Sequence, residues 1–203
     1  MGVGERAGAR VSRAVFIDRD GVINRAVVRD GKPYPPQDVF DFEFLPGVPE
    51  AMRSLHEAGF RLIVATNQPD VGAGRQTREK VEEIHAHLRA ALPIDDIKVC
   101  YHTDADLCGC RKPKPGMLLD AAQQWQIDLA SSVMVGDRWR DVDAGKAAGC
   151  RTILIESGYD ERQAEGFDAA VPSLLDASRL IVSDRIFQSP VARILQGARP
   201  LGG

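Results

Sequence analysis

The chain has 203 residues, with 26 basic against 29 acidic side chains, for a formal charge of −3. That length supports a single domain burying roughly 70% of its extended-chain surface, and 44% hydrophobic with 27% charged residues excludes global disorder. The slight negative charge excludes a protein held to nucleic acid by bulk electrostatics, and no apolar run reaches the roughly 20 residues of a membrane span.

In chain order, short apolar runs alternate with helical patterns. Residues 1–12 are rich in Gly, Arg and Ala and read as a flexible N-terminus without a signal peptide. Residues 13–17 read as a buried strand ending in acidic residues. Val48, Ala51, Met52 and Leu55 recur at helical spacing, with Pro49 in the first turn and Gly59 past the end. A second strand covers 61–66. Thr77 caps a helix whose inner face carries Val81, Ile84, Leu88 and Leu92. A third strand over 97–101 enters a cysteine-rich loop, followed by a helix over 115–125. Strand 132–135, helix 141–148 stopped by Gly149, strand 152–155, a short strand 169–171 and a helix over 172–181 follow. The expected layout is one domain over 13–182 with a weakly periodic C-terminal tail over 183–203. Strands alternating with helices predict an α/β fold, a parallel sheet covered by helices, with ligands beyond the carboxyl ends of the strands.

Four motifs fall at such ends. In Asp18-Arg19-Asp20-Gly21 the two acids stand two residues apart, so an extended backbone turns both to one side. Such a pair can divide nucleophilic and proton-transfer work, or form an ordinary acidic turn. Thr66-Asn67-Gln68 offers a hydroxyl and backbone N–H groups to phosphate oxygens, though Thr-Asn also begins common turns. Arg111-Lys112-Pro113-Lys114-Pro115 is a stiffened basic loop, able to neutralise a phosphate or simply to face solvent. In Gly136-Asp137-Arg138-Trp139-Arg140-Asp141, two carboxylates one turn apart suit Mg²⁺.

A fifth cluster is separate. Cys100, His102, Cys108 and Cys110 form C-x-H-x5-C-x-C. Three thiolates and an imidazole make the closed tetrahedral set that structural Zn²⁺ prefers, the alternative being a group of reactive thiols. With no signal peptide, the expected compartment is the reducing cytoplasm. Cys150 reads as a small buried residue, His56, His85 and His87 as solvated, Trp125 as core and Trp139 as a rim of the site.

Together, the order and spacing of the four motifs resemble the haloacid dehalogenase (HAD) superfamily of phosphohydrolases over residues 13–181. The resemblance implies a Rossmann-like sheet. It implies Asp18 as the nucleophile forming an aspartyl-phosphate and Asp20 as general acid and then base. Thr66 and Asn67 would bind the transferring phosphate and Lys112 would neutralise it. Mg²⁺ would be held by Asp18, Asp137 and the backbone carbonyl of Asp20, with Asp141 in its first or second shell. The stretches DRDGVIN (18–24), FEFLPGV (42–48), TNQ (66–68), CRKPKPGM (110–117) and MVGD (134–137) narrow the likeness to subfamily IIIA. There it resembles the capless zinc-loop phosphatases acting on D-glycero-D-manno-heptose 1,7-bisphosphate, which supply activated heptose for surface polysaccharide. That likeness implies that Arg111 contacts the sugar or its second phosphate, and that the site is open. Substrate contacts are then expected from 24–36, 68–75 and the zinc loop. The sequence departs from the pattern at Pro69-Asp70, Ala73-Gly74 and Arg138, which bears on sugar and anomer preference. The neighbouring reading is a histidinol-phosphate phosphatase, and from another class a non-catalytic zinc or nucleic-acid module. The expected partner is a phosphorylated sugar, with no nucleic acid or membrane, and the expected state is a monomer.

Overall fold

The computed structural model describes residues 12–188. The expected N-terminal segment up to residue 11, and the expected tail beyond residue 188, lie outside the described residues. β1 (Ala14–Ile17) is wholly buried. It is followed by a hairpin, β2 (Val27–Arg29) and β3 (Lys32–Tyr34), that the patterning did not predict. Asp30 and Gly31 turn it, both at positive φ, 49° and 71°. That is the geometry Asp-Gly favours in two-residue hairpins.

α1 (Val48–Glu57) buries the predicted stripe of Val48, Ala51, Met52 and Leu55. β4 (Arg61–Asn67) leads into the single turn α2 (Pro69–Gly72). In α3 (Arg78–Ala91) the Thr77 hydroxyl accepts from the Lys80 amide at 3.4 Å, and Val81, Ile84 and Leu88 face inward. β5 (Asp96–Cys100), α4 (Gly116–Trp125), β6 (Val133–Gly136), α5 (Trp139–Ala148), β7 (Arg151–Ile155), β8 (Ala169–Val171) and α6 (Leu174–Val182) complete the domain. α7 (Arg185–Gln188) is the start of the expected tail, and its Ile186 enters the core.

The six-stranded sheet is parallel throughout, in the order β5-β4-β1-β6-β7-β8. β1 lies centrally, pairing Val15 with Leu62 on one side and with Val133 on the other. Period-two alternation divides its side chains between two cores. Val15 and Ile17 pack towards α1, α3 and α6, whereas Ala14 and Phe16 pack towards α4. The chain builds outward from β1 through β4 to β5, then returns to β6 on the opposite side. That reversal opens a crevice at the carboxyl ends of β1 and β6, where doubly wound sheets bind ligands. Between β1 and β4 stand only the hairpin, a loop and α1, so nothing domain-sized covers the crevice.

Because Phe16 is fully buried in the second core, Phe16→Ala should cost about 3–5 kcal/mol. Urea unfolding checks this: the midpoint should fall with little change in slope.

Candidate active site

Asp18 leaves β1 with its amide bonded to the Val135 carbonyl at 2.9 Å, which ties the strand end to β6. Its carboxylate meets two others. Oxygens of Asp18, Asp137 and Asp141 lie within 4.8 Å of one another, and all three residues are buried. Lys112 enters from the loop before α4, its ammonium 2.8 Å from Asp18 Oδ1 and 2.5 Å from Asp141 Oδ1. Three carboxylates against one ammonium leave two uncompensated negative charges.

The pKa shifts express that imbalance. Burial pushes the Asp18 carboxyl up to about 6, Lys112 opposing this and the Asp141 and Asp20 charges adding to it. Burial and the charges of Asp18 and Asp141 raise Asp137 well above the carboxylate range. Burial works against the charge on Lys112, but Asp141 and Asp18 outweigh it and raise its pKa. A cluster short of two positive charges, built of hard oxygen donors, fits a divalent ion such as Mg²⁺.

Two glycines make room for these acids. Gly21 has φ of 88°, and a Cβ there would overlap the Asp137 carboxylate. A Cβ on Gly136 would run into the Asp141 side chain. Asp141 stands in the first turn of α5, where Oδ2 accepts from the Arg138 amide at 3.0 Å and the helix dipole favours its charge.

Asp20 is held differently. Oδ1 accepts from Arg19 Nε at 3.2 Å and Asn24 Nδ2 at 3.0 Å, and Oδ2 accepts from Gln68 Nε2 at 2.7 Å and Arg19 Nη2 at 3.0 Å. The Arg19 guanidinium is fully buried, and its Nη1 lies 3.2 Å from His85 Nε2. His85 therefore corrects the expectation of a solvated histidine: it is 1% exposed on the inner face of α3. His56 is exposed as expected, while the exposed His87 stacks on Phe44 and meets Phe42 edge-on. Sequence patterning missed Arg19 and His85. The available signal was that position 85 follows the inward-facing Ile84 and falls four residues after Val81.

Gln68 Nε2 also donates to the Thr66 hydroxyl at 2.9 Å. Asn67 forms a reciprocal pair with the Lys112 backbone, donating to its carbonyl and accepting from its amide at 3.1 Å each. The end of β4 therefore locks the basic loop. Both acids open onto a cleft also lined by Tyr34, Asn67, Arg75 and Arg111. Hairpin, α2 segment and cysteine loop thus each supply a wall, as expected of the three segments. At the divergent Pro69-Asp70, proline starts α2 and Asp70 Oδ1 accepts from Arg75 Nη2 at 2.5 Å. Arg111 and Arg140 share Asp104, at 2.8 Å and 3.3 Å, and Arg138 pairs with Glu161. Trp139 departs from its expected place: it lines the adjoining cleft beyond Arg138, stacked between Arg140 and Arg162. Trp125 is half-buried and packs against the second core, with Arg61 over its ring and its Nε1 donating to Asp96 Oδ2 at 3.0 Å.

The cysteine loop closes on itself. Cys100 Sγ lies 3.7 Å from Cys108 Sγ and 3.2 Å from Cys110 Sγ, and His102 Nδ1 lies 3.3 Å from Cys110 Sγ. Burial raises the Cys100 thiol to about 12, whereas the Arg111 amide and other donors overcome burial to bring Cys108 down to about 7. Three soft sulfurs and one imidazole facing a common point fit Zn²⁺. Lys114 caps the Leu107 and Cys108 carbonyls at 3.0 and 2.7 Å, so the loop runs rigidly into Arg111 and Lys112. Cys150 is buried apart from the cluster.

Comparison with known proteins agrees with this geometry. A family profile described as HAD-hydrolase-like matches residues 109–177. The D-glycero-beta-D-manno-heptose-1,7-bisphosphate 7-phosphatase of Escherichia coli is 38% identical over 158 residues, 71% of this chain and 80% of that one. The corresponding alpha-named enzyme of Mycobacterium tuberculosis is 38% identical over 164 residues, 75% of this chain and 83% of that one. The crystal structure of D,D-heptose 1,7-bisphosphate phosphatase from B. bronchiseptica, complexed with magnesium and phosphate, matches with a TM-score of 0.69 and 27% identity. It covers 85% of this chain and 99% of that one.

Burial first and the Arg19 charge second push the His85 pKa from 6.5 down to about 4. The unfolded chain then binds a proton that the folded chain refuses. This contribution to stability is whole above pH 6.5 and is lost as pH falls from there to about 4. Between pH 7 and pH 5 the urea midpoint of His85→Gln should therefore fall less than that of the wild type.

Proposed function

The chain belongs to the heptose-1,7-bisphosphate 7-phosphatase family of HAD-like phosphomonoester hydrolases, and on that footing we propose that it removes the 7-phosphate of D-glycero-D-manno-heptose 1,7-bisphosphate through an aspartyl-phosphate on Asp18. The observation that carries this reading is the buried cluster of Asp18, Asp137 and Asp141 around the Lys112 ammonium at the switch point of the sheet.

Asp18, Asp137 and the Asp20 carbonyl would hold Mg²⁺, with Asp141 beside it. Bound there, the ion supplies the positive charge that lets a carboxylate approach a phosphate dianion. The remaining work falls to side chains. An Asp18 oxygen attacks phosphorus as the bond to the sugar oxygen breaks, and Asp20 gives that oxygen its proton. Asp20 then takes a proton from the water that hydrolyses the aspartyl-phosphate, restoring both acids. Lys112 keeps Asp18 ionised and aimed, and neutralises the transferring group. The Thr66 hydroxyl and the backbone at Asn67 cradle its oxygens. Arg111, in the lining of the same cleft, meets the distal phosphate.

Cys100, His102, Cys108 and Cys110 would bind a structural Zn²⁺. The set leaves no position for water, so its part is to shape the loop that presents Arg111 and Lys112. The substrate is a small phosphorylated sugar reached through the open cleft, and among the described residues no helix is long and apolar enough to cross a membrane.

Asp18→Asn should abolish phosphate release while the thermal transition persists. In a phosphate-release panel of both heptose bisphosphate anomers and histidinol phosphate, kcat/KM should be highest on a heptose bisphosphate; preference for histidinol phosphate would overturn the substrate assignment. Protein purified without chelator should carry about one zinc per chain by elemental analysis. Cys108→Ala should lower that content and the melting temperature together.

A further inference from the structure

The Asp18 site leaves one buried charge unused. Arg19 stands between the two catalytic acids in sequence, and its guanidinium is fully buried. A buried cation is costly unless each N–H finds an acceptor. Arg19 finds Asp20 through Nε and Nη2, and His85 through Nη1.

Guanidinium groups only donate, so Nε2 of His85 must accept. The ring is then neutral, with its proton on Nδ1, which faces Glu82 Oε1 at 3.5 Å. Glu82 is anchored in turn by the Tyr101 hydroxyl. This assembly joins the Asp20 carboxylate on β1's outgoing segment to α3 and the end of β5.

We infer that Arg19 and His85 are positioning residues for the acid–base step, the neutral imidazole orienting the guanidinium so that its fork fixes the plane of the Asp20 carboxylate. This rests on the acid–base reading of Asp20 above. Asp20 must protonate a sugar oxygen in one half-reaction and deprotonate water in the next, so its carboxylate must occupy one place in both. Asn24 and Gln68 supply single donors. Among the described residues, only Arg19 spans the carboxylate with a rigid fork, and only His85 accepts from the nitrogen that the fork leaves over.

Leaving-group dependence tests the assignment. A sugar oxygen needs a proton to depart, whereas p-nitrophenolate leaves without one. With the Mg²⁺-loaded full chain, His85→Leu and Arg19→Lys should lower kcat/KM on heptose bisphosphate by about tenfold or more. On p-nitrophenyl phosphate the loss should stay within roughly threefold. His85→Gln, which still offers an acceptor, should remain near the wild type on both. Asp20→Asn should show the same asymmetry, only larger. Equal losses on the two substrates, or a His85→Gln variant as impaired as His85→Leu, would overturn the positioning role while leaving Asp20 in place. An Asp20→Asn variant without the asymmetry would overturn the acid assignment, and this inference with it. Should His85→Leu fail to fold, Arg19→Lys carries the comparison, since it keeps the charge and loses the fork.

Discussion

The Lys112 ammonium, shared between Asp18 and Asp141, is the interaction on which the site depends. Two like charges about 4 Å apart repel by about 4 kcal/mol at the effective dielectric of a protein, so three buried carboxylates cannot stand together unaided. Lys112 offsets part of that repulsion and leaves a deficit suited to a divalent cation. Its own position is fixed twice over. Asn67 clamps its backbone from the end of β4, and the cysteine loop delivers it from the other side. The fold therefore holds three buried carboxylates around a single ammonium.

The sheet topology explains why these groups meet. Asp18 and Asp137 follow the carboxyl ends of β1 and β6, Thr66 stands in the last residues of the adjacent β4, and the reversal of strand order beside β1 leaves their common edge open. Packing is tight enough that the absence of a side chain matters. Gly21 and Gly136 leave the volume that the Asp137 and Asp141 carboxylates occupy. With no domain inserted between β1 and β4, the cleft is walled by loops and by arginines. These are held by Asp70, Asp104 and Glu161, which offset their charges and keep them in place around the mouth of the cleft.

Asp18 and Asp20 sit two residues apart yet experience different surroundings. Asp18 is buried among other carboxylates and opposed by one ammonium. Asp20 is surrounded by donors from Arg19, Asn24 and Gln68. Two acids of different character thus share one short segment, because the backbone turns at Gly21 and the partners packed against each differ.

Much of this was legible in the amino-acid order alone. Short continuous apolar runs and stripes of helical period placed the strands of the main sheet and the larger helices, since a strand covered on both faces is apolar throughout and a helix covered on one is apolar at helical spacing. Motif spacing placed Asp18, Thr66, Lys112 and Asp137 at strand ends or in loops, and grouped Cys100, His102, Cys108 and Cys110, because local spacing limits what short segments can reach. The hairpin was missed although Asp30-Gly31 marks it, its strands being only three residues long with Pro33 in one of them. The places of Trp139 and Arg19 were not legible, and that of His85 showed only in its spacing from Val81 and Ile84. A histidine on a helix and an arginine in an acidic motif both read as solvated until β1 and α3 are packed together. Only then does Arg19 lose its water and require Asp20 and His85 as partners. The chain's order determined which chemistry is available; the tertiary fold decided which charges are buried and paired, because desolvation and charge pairing depend on neighbours distant in sequence.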